Sequence, residues 1–421
     1  MKDRLNYSIM VSKEKRNFPK GHDAFLKTPM RFTSIDIFCH VIDNYGDAGV
    51  VYRFAKECLL ARPGLRIRVF IDDVKPLHDM VPGIDPVKTM QELDGVAFNS
   101  WDIITEDLVK EIGTADILVE AFACFIPDMV LETASRRPTV IINLEYFSAE
   151  PWIEGYHLKE SLVGRGALKK YYFMPGLTPA SGGVIIDTRM ERARGVVNQN
   201  RVEYFAELLE KYGLGRHGSK IPLFGTVFTY TRGFDTLLED LQSIDNDVFL
   251  FVLGQKSAEG MLRTLERKTA GPFSGPIGKL GNTHIVFMPF LPQYHYDELL
   301  CACDFNIVRG EDSLVRAVLA GKPLLWQAYI QENKYQLVKV KAFAETFRRY
   351  CDDENLGAHF HDTLMEFNAM GKEEPAQKTQ ERYVRFFSDL NKIECATRKM
   401  SYFMRENCNL VKKFLEFLDQ I

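Results

Sequence analysis

Apolar runs alternate with apolar positions at helical spacing through the first half of the chain, a pattern typical of buried parallel strands joined by helices. Ser34–Ile42 is an apolar run that ends in turn-forming residues, and Val50–Ala61 carries apolar side chains on one helical face. Further strands are predicted at Leu65–Ile71, Ile117–Phe122 and Thr139–Leu144. The first half therefore predicts an α/β domain built on a parallel sheet.

A second alternating series occupies residues 222–327. Its predicted strands are Pro222–Val227, Val248–Leu253, His284–Phe290, Asp304–Val308 and Leu324–Gln327. Helices are predicted at Tyr296–Cys303 and Glu311–Ala320, and Gly321 closes the second of them. The remainder is predicted to be helical, with apolar residues at helical spacing over Tyr402–Leu418.

Proline and glycine residues interrupt the pattern between the two series, and a charged run follows them (187–192, DTRMER). These residues, from Gly176 to Val197, predict an interdomain linker. We therefore expect an N-terminal domain at residues 34–185 and a C-terminal domain at residues 186–399. Two such domains would face each other across a cleft, with ligands at the carboxyl ends of the strands.

Length and composition are consistent with this organisation. At 421 residues the chain has room for two or three domains of about 150 residues each. Hydrophobic residues make up 46% and charged residues 26%, which excludes a disordered or fibrous chain. The formal net charge of −4 disfavours a protein that is wrapped in nucleic acid.

The first 33 residues are polar and basic and lack the apolar middle of a signal peptide. We interpret them as a disordered extension or an over-long start, with Met30 as an alternative initiator. No window of eighteen uninterrupted apolar residues predicts a membrane-spanning helix. The eight cysteines are thinly spread and predict neither a disulfide framework nor a zinc site, so a cytoplasmic location is expected.

Common catalytic motifs are absent from the sequence. There is no G-x-x-x-x-G-K-[ST] phosphate loop, no H-E-x-x-H metal motif and no G-x-S-x-G elbow. The loop after the first predicted strand contains Gly46 and Gly49 but not the three-glycine dinucleotide fingerprint. A dehydrogenase is therefore disfavoured.

That loop carries two carboxylates, Asp43 and Asp47, between a buried strand and a helix. One hypothesis is that both face the cleft and that one is a general base, its pKa raised by partial burial and by the second carboxylate. The alternative is that Asp47 caps the helix. This segment alone does not decide between them, and Asn44 is a turn residue in either case.

A second polar group, Arg309-Gly310-Glu311-Asp312-Ser313, stands where a predicted strand turns into a helix. Free backbone N–H groups and the dipole at a helix N-terminus favour a diphosphate. Ser313 could donate to a phosphate, Arg309 could neutralise charge, and Glu311 could accept hydrogen bonds from sugar hydroxyls. Acidic residues that merely complement the dipole would explain Glu311 and Asp312 but not Arg309.

Five further residues end predicted strands and are cleft candidates: Gln293, Phe228, Tyr230, Glu145 and Tyr146. The Gln293 amide could read a pyrimidine edge or be a solvated loop group. Phe228 and Tyr230 could stack on a base, although core packing is the commoner fate of such residues.

Segments 38–50 (FCHVIDNYGDAGV) and 308–316 (VRGEDSLVR) together resemble the protein-arginine rhamnosyltransferases that modify bacterial elongation factor P. Shorter stretches agree with this family: 120–124 (EAFAC), 143–150 (NLEYFSAE), 181–183 (SGG) and 289–293 (PFLPQ). The resemblance runs from about Ile35 to Lys339 and continues more weakly to the C-terminus.

The resemblance implies a GT-B fold, which consists of two Rossmann-like domains facing across a cleft. It assigns the acceptor to residues 34–185 and the nucleotide sugar to residues 186–399, and it implies that a final helix at about 400–421 returns to the first domain. It further implies an inverting, metal-independent transfer of rhamnose from dTDP-β-L-rhamnose to one arginine of elongation factor P. Apart from this sugar co-substrate no cofactor is expected, and neither nucleic acid nor membrane is an expected partner.

Site residues carry over from the family by position. Asp47 is the general base, and Asp43 helps to hold the acceptor guanidinium together with Asn44 and Glu145. The residues implied for the sugar-donor site are Gln293, Arg309, Glu311, Asp312, Ser313 and Gly46. Either Phe228 or Tyr230 stacks on thymine, and the sequence leaves this choice open.

The residues also fit the chemistry, because a guanidinium is a poor nucleophile that two carboxylates can grip, align and deprotonate. Two other functions stay open. The chain could be a GT-B transferase that uses another nucleotide sugar and a small-molecule acceptor, or an inactive binder of elongation factor P.

Overall fold

The computed structural model describes residues 31–43, 45–215, 220–273, 275–369 and 382–421. The predicted N-terminal extension lies outside these residues as far as position 30. No helix in the described parts of the chain combines the length and apolar content needed to span a bilayer.

The first half of the chain folds around an eight-stranded sheet whose spatial order is β3-β4-β2-β1-β5-β6-β8-β7. The strands are β1 (Ser34–Cys39), β2 (Arg66–Ile71), β3 (Met90–Leu93), β4 (Val96–Ser100), β5 (Ile117–Ala121), β6 (Thr139–Leu144), β7 (Glu160–Ser161) and β8 (Leu168–Phe173). All neighbours are parallel except β3 on β4 and β7 on β8.

The second half folds around a six-stranded sheet of order β11-β12-β10-β9-β13-β14, parallel except for β11. The strands are β9 (Leu223–Val227), β10 (Val248–Val252), β11 (Ile277–Leu280), β12 (Thr283–Phe287), β13 (Phe305–Arg309) and β14 (Leu324–Gln327). Every strand predicted from the sequence in either half is present, with its ends displaced by no more than three residues. Five strands of the described chain were not predicted from the sequence: β3, β4, β7, β8 and β11. Of these, β3, β7 and β11 are short antiparallel edge strands that lack a long apolar run.

Helices cover the sheets and connect their strands. They are α1 (Tyr45–Ala61), α2 (Lys75–Met80), α3 (Glu106–Ile112), α4 (Asp128–Ala134), α5 (Trp152–Tyr156), α6 (Thr188–Lys211), α7 (Asp235–Leu241), α8 (Gln255–Thr269), α9 (Gln293–Ala302), α10 (Gly310–Ala320), α11 (Gln336–Arg348), α12 (Glu354–Ala369), α13 (Arg382–Ser388), α14 (Leu390–Asn407) and α15 (Leu410–Gln420). Short 3₁₀ turns occur at Trp101–Ile103 and Glu332–Lys334.

Each sheet has one point at which the strand order reverses. In the first sheet the chain runs outward in one direction from β1 and in the other from β5, and β1 and β5 are neighbours. In the second sheet, β9 and β13 stand in the same relation. Loops diverge at such a point and leave a crevice at the carboxyl ends of the strands, where open α/β sheets bind ligands.

The charged run 187–192, which we interpreted as part of a linker, begins helix α6 instead. The Asp187 carboxylate accepts a hydrogen bond of 2.8 Å from the Arg189 N–H and so caps the helix. The turn from Pro175 to Gly183 remains irregular, so the extended connection is shorter than predicted.

The helix predicted over Tyr402–Leu418 is interrupted, because α14 ends at Asn407 and α15 begins at Leu410. At the break the Val184 N–H donates to the Cys408 carbonyl over 2.7 Å. A Cβ on Gly183 would lie 2.3 Å from that carbonyl oxygen, and Gly183 has φ +79°. This close backbone approach therefore requires glycine, and it turns the chain so that α15 packs on α1.

The packing of α15 on the first half generates a stability prediction. Phe414 is fully buried, with its ring 4.9 Å from the ring of Phe54 and 5.7 Å from that of Phe173. Phe414→Ala should lower the free energy of unfolding by about 3–5 kcal/mol, because it leaves a cavity in the core. Chemical denaturation measures the loss. The exposed Lys412→Ala on the same helix is the control, and equal stabilities of the two variants would contradict this packing.

Candidate active site

A cavity of about 480 Å³ lies between the carboxyl ends of the two sheets. Its walls come from the loops after β1, β5 and β6 on one side, and from the loop after β9 and the first turns of α10 on the other. The predicted site residues that line it are Asp43, Gly46, Asp47, Glu145, Tyr146, Tyr230, Glu311 and Asp312. Residues from both halves of the sequence thus meet at the two points where the strand orders reverse.

Asp47 is almost fully buried in the first turn of α1, with 1% of its surface exposed. Its Oδ2 accepts hydrogen bonds from the N–H groups of Ile42 at 2.8 Å and Asp43 at 2.7 Å. Asp47 therefore fixes the course of the preceding loop. A side chain that only capped the helix would not accept these two bonds from residues that precede it. Burial raises the pKa of Asp47, although these two N–H groups and the Tyr146 hydroxyl oppose the rise.

Asp43 borders the open part of the cavity, and its side chain is exposed there. Its carbonyl accepts the Gly46 N–H at 2.7 Å, which closes a tight turn. A Cβ on Gly46 would lie 2.7 Å from Asp43 Oδ2, so glycine makes room for this carboxylate. Desolvation by the cavity walls, with smaller contributions from the charges of Asp47 and Glu311, raises the pKa of Asp43 to about 6.

The opposite wall is the N-terminus of α10. Gly310 adopts φ +67° at the turn from strand to helix, a conformation that favours glycine, and its carbonyl accepts the Trp326 indole N–H at 2.9 Å. The acidic residues of the first turn are both paired: Glu311 with Lys339 at 3.0 Å, and Asp312 with Arg53 of α1. These pairs offset the negative charge at a helix end that would otherwise repel an anion.

Arg309 and Phe228 do not line the cavity but lie beside Tyr230, which does. The Arg309 guanidinium is 4.3 Å from the ring centroid of Phe228 and 5.0 Å from that of Tyr230. It also donates to the Thr229 carbonyl at 3.0 Å. Burial lowers the pKa of Arg309, and the nearby Tyr230 and Asp43 oppose this change. Because neither residue lines the cavity, the sugar-donor roles of Arg309 and Phe228 stay predictions.

The remaining sugar-donor candidates do not line the cavity either. Gln293 begins α9 and lines a separate cavity of about 220 Å³, where its amide lies against Gly49 of α1. Ser313 is buried in α10 beside Tyr296. Asn44, predicted to contact the acceptor, lies outside the described residues. The roles of these three residues stay predictions.

Glu145 and Tyr146 follow β6 and complete the acidic wall. The Asn143 amide donates to Glu145 Oε1 at 2.8 Å and orients its carboxylate. The Tyr146 ring stacks on Phe122 with centroids 4.3 Å apart, and Phe122 has φ +58°, a strained conformation for a bulky residue. The hydroxyl of Tyr146 reaches Asp47, so this aromatic pair supports the carboxylate from the side.

Sequence reasoning missed several cavity residues, most notably Arg53 and Lys339. Arg53 lies within the predicted helix after the first strand, and Lys339 lies in the helical region beyond Tyr329. Neither has a neighbouring motif that would identify it, because each matters only through a partner more than twenty-five residues away. Arg53 also shares its helix with Asp47, Lys56 and Glu57, so its charge did not distinguish it in the sequence.

The chain is similar to a known protein family over most of its length. The family model described as "Elongation-Factor P (EF-P) rhamnosyltransferase EarP" matches residues 35–419. The protein-arginine rhamnosyltransferase of Shewanella oneidensis is 36% identical over 79% of this chain and 84% of its own length. The enzyme of the same name from Pseudomonas aeruginosa is 36% identical over 75% of this chain and 81% of its own.

Solved structures with the same architecture are known. One, described as "Structural basis for EarP-mediated arginine glycosylation of translation elongation factor EF-P", has a TM-score of 0.58 and 20% identity, and covers 92% of this chain and 99% of that one. A glycosyltransferase from Rickettsia africae has a TM-score of 0.50 and 10% identity, over 93% and 99% of the two chains. At these identities the likeness concerns the fold alone, and the predicted GT-B fold is confirmed.

The family match covers nearly all of the described chain, and the relatives share more than a third of their aligned residues with it. The matched range includes both walls of the cavity, from the loop after β1 to the first turn of α10. The chain therefore belongs to the elongation-factor-P rhamnosyltransferase family EarP.

Proposed function

We propose that this protein transfers rhamnose from dTDP-β-L-rhamnose to an arginine side chain of elongation factor P, with inversion at the sugar and with Asp47 as the general base. Membership of the EarP family supports the acceptor and the sugar. The observation that carries the mechanism is the single cavity in which Asp43 and Asp47 stand opposite the N-terminus of α10. A translation factor as acceptor would place the reaction in the cytoplasm.

The acidic wall suits a guanidinium. Asp43, Asp47 and Glu145 present carboxylates to one cavity, and a guanidinium offers five N–H donors in a planar fork that carboxylates can grip in pairs. A bound cation would also favour ionised Asp43, whose pKa of about 6 in the free protein reflects desolvation and neighbouring negative charge. This wall would hold the acceptor and turn one nitrogen toward the sugar.

The transfer itself needs a displacement and a proton acceptor. A guanidinium nitrogen attacks C1 of rhamnose on the face opposite the diphosphate, the C1–oxygen bond breaks, and its electron pair leaves with dTDP. The proton lost from that nitrogen moves to the Asp47 carboxylate. Because the attack comes from the opposite face, the β-linked donor gives an α-linked product. Burial raises the pKa of Asp47, which makes it a stronger base than an exposed aspartate.

The departing diphosphate needs positive potential on the other wall. The first turn of α10 offers free N–H groups and the positive end of the helix dipole. Pairing of Glu311 with Lys339 and of Asp312 with Arg53 reduces the repulsion that two carboxylates would cause there. Of the two aromatic candidates, Tyr230 lines the cavity, which supports it as the residue that contacts the sugar donor.

The proposal is tested by incubating the protein with dTDP-β-L-rhamnose and elongation factor P, and then measuring the intact mass of the acceptor. We expect a gain of one rhamnosyl group, and peptide mapping should place it on an arginine. Transfer from another nucleotide sugar to a small molecule, with elongation factor P unchanged, would indicate a different transferase. Binding of elongation factor P without transfer from any sugar donor would indicate an inactive binder.

Asp47→Asn should lower kcat by about 10²–10⁴-fold, because the amide cannot accept the proton. Affinity for dTDP, measured by calorimetry, should not change, because Asp47 lies on the acceptor wall. The exposed Asp73→Asn in the neighbouring loop is the control and should keep full activity. An Asp47→Asn enzyme with the wild-type kcat would show that the base is another residue.

The raised pKa of Asp43 predicts a pH dependence. Asp43 must be ionised to hold the acceptor, so kcat/KM for elongation factor P should fall as the pH drops below about 6. Glu311→Gln should move this acid limb to lower pH, because the Glu311 charge helps to raise the pKa of Asp43.

The measurement is a pH profile at saturating sugar donor. The exposed Glu345→Gln on α11 is the matched control and should leave the limb in place. An acid limb that does not move in Glu311→Gln would contradict the coupling across the cavity.

A further inference from the structure

A cluster of five charged side chains, four of them buried and Asp312 half-buried, joins the two halves of the molecule beside the cavity. Its members, which we call the interface charge cluster, are Arg53 of α1, Asp187 before α6, Asp297 of α9, and Asp312 and Arg316 of α10. Arg316 pairs with Asp297 and lies 3.5 Å from Asp187. Arg53 pairs with Asp312, and its Nε lies 4.0 Å from Asp187 Oδ2.

Arg53 is the member of this cluster that comes from the first sheet's domain. Only 4% of its side chain is exposed, and burial lowers its pKa while the Asp312 charge opposes this effect. Its partner Asp312 is 259 residues away in the sequence. The helices α1 and α10 pack directly on each other at this point. The ion pair therefore bridges two elements that no covalent connection holds in register.

The Arg53 guanidinium is not fully satisfied by the protein. Its Nη1 is buried and has no hydrogen-bond partner among the described residues. A Cβ on Gly49 would lie 3.2 Å from this nitrogen, so a larger residue there would crowd it. A buried ion pair costs desolvation free energy, and an unmade hydrogen bond adds to that cost. Stability alone is thus a poor reason for an arginine at this position.

The Arg53–Asp312 ion pair joins the two helices that form opposite walls of the proposed active site. Arg53 stands six residues after Asp47 on α1, a rise of about 9 Å along the helix. Asp312 lies in the first turn of α10, directly after Glu311 and before Ser313. The pair therefore determines how far the helix with the carboxylate base stands from the helix end that faces the sugar donor.

We propose that Arg53 is a positioning residue for glycosyl transfer: its ion pair with Asp312 fixes the approach of the helix that carries Asp47 to the N-terminus of α10. This inference rests on the proposed function. In this role Arg53 acts through the two helices that its ion pair joins. It sets the distance between the nucleophile held on one wall and the sugar held on the other, and small errors in such a distance are costly in rate.

The test compares Arg53→Gln, which removes the charge, with Arg53→Lys, which keeps a charge on one nitrogen. Arg53→Gln should lower kcat by about 10- to 100-fold while dTDP affinity stays at the wild-type value, because the loss is one of alignment. Arg53→Lys should recover part of kcat. The matched control is Arg201→Gln, which breaks the Arg201–Asp304 pair of 2.5 Å within the second domain and should keep full kcat.

Solution X-ray scattering gives a readout that does not depend on activity. Arg53→Gln should have a larger radius of gyration than the wild type, and Arg201→Gln should not. If the wild type fails to modify elongation factor P, the proposed function is wrong, and scattering still decides whether Arg53 holds the two domains together.

An Arg53→Gln protein with unchanged kcat and unchanged scattering would overturn the proposal. So would a loss of kcat that equals the loss of folded protein, measured by thermal unfolding. If Arg53→Gln does not fold, Asp312→Asn tests the same ion pair from the other helix. There, reduced kcat with a larger radius of gyration supports the proposal, and unchanged kcat overturns it.

Discussion

The site depends on one arrangement of hydrogen bonds, in which the Asp47 carboxylate accepts the N–H groups of Ile42 and Asp43. These bonds fold the loop after β1 back onto the start of α1, so that Asp43 and Asp47 occupy the same wall. They also oppose the rise in the pKa of Asp47 that burial causes. Together with the bond from the Gly46 N–H to the Asp43 carbonyl, they fix the course of the loop at the point where the strand order of the first sheet reverses.

The two walls of the cavity differ in how the negative charges of their carboxylates are balanced. The first wall contains Asp43 and Asp47, which have no cationic partner among the described residues there; desolvation, and to a smaller extent the charge of Asp47, raises the pKa of Asp43. The second wall also contains two carboxylates, Glu311 and Asp312, but each is paired with a cation from another helix. The same residue types therefore leave unbalanced negative charge on one wall and paired charges on the other.

Much of this protein could be predicted from local sequence. The apolar run of Thr139–Leu144 is a strand with those bounds, and Gly310 makes the positive-φ turn expected between β13 and α10. The errors have local causes as well. The charged run 187–192 resembles a linker because it is polar, yet Asp187 is a helix cap and the polar face of α6 follows it. Tyr402–Leu418 resembles one helix because its break is imposed by a backbone contact with Val184.

The sequence by itself determined the two α/β series, the residues that end each strand and the family resemblance, because strand and helix periods and turn residues are local properties. Only the tertiary structure decided which strand ends meet. It brought Asp43 and Asp47 to one cavity with Glu311 and Asp312, placed Gln293 and Ser313 outside it, and paired Arg53 with Asp312. The physical reason is that the docking of two sheets depends on contacts between residues hundreds of positions apart, and no local pattern encodes that separation.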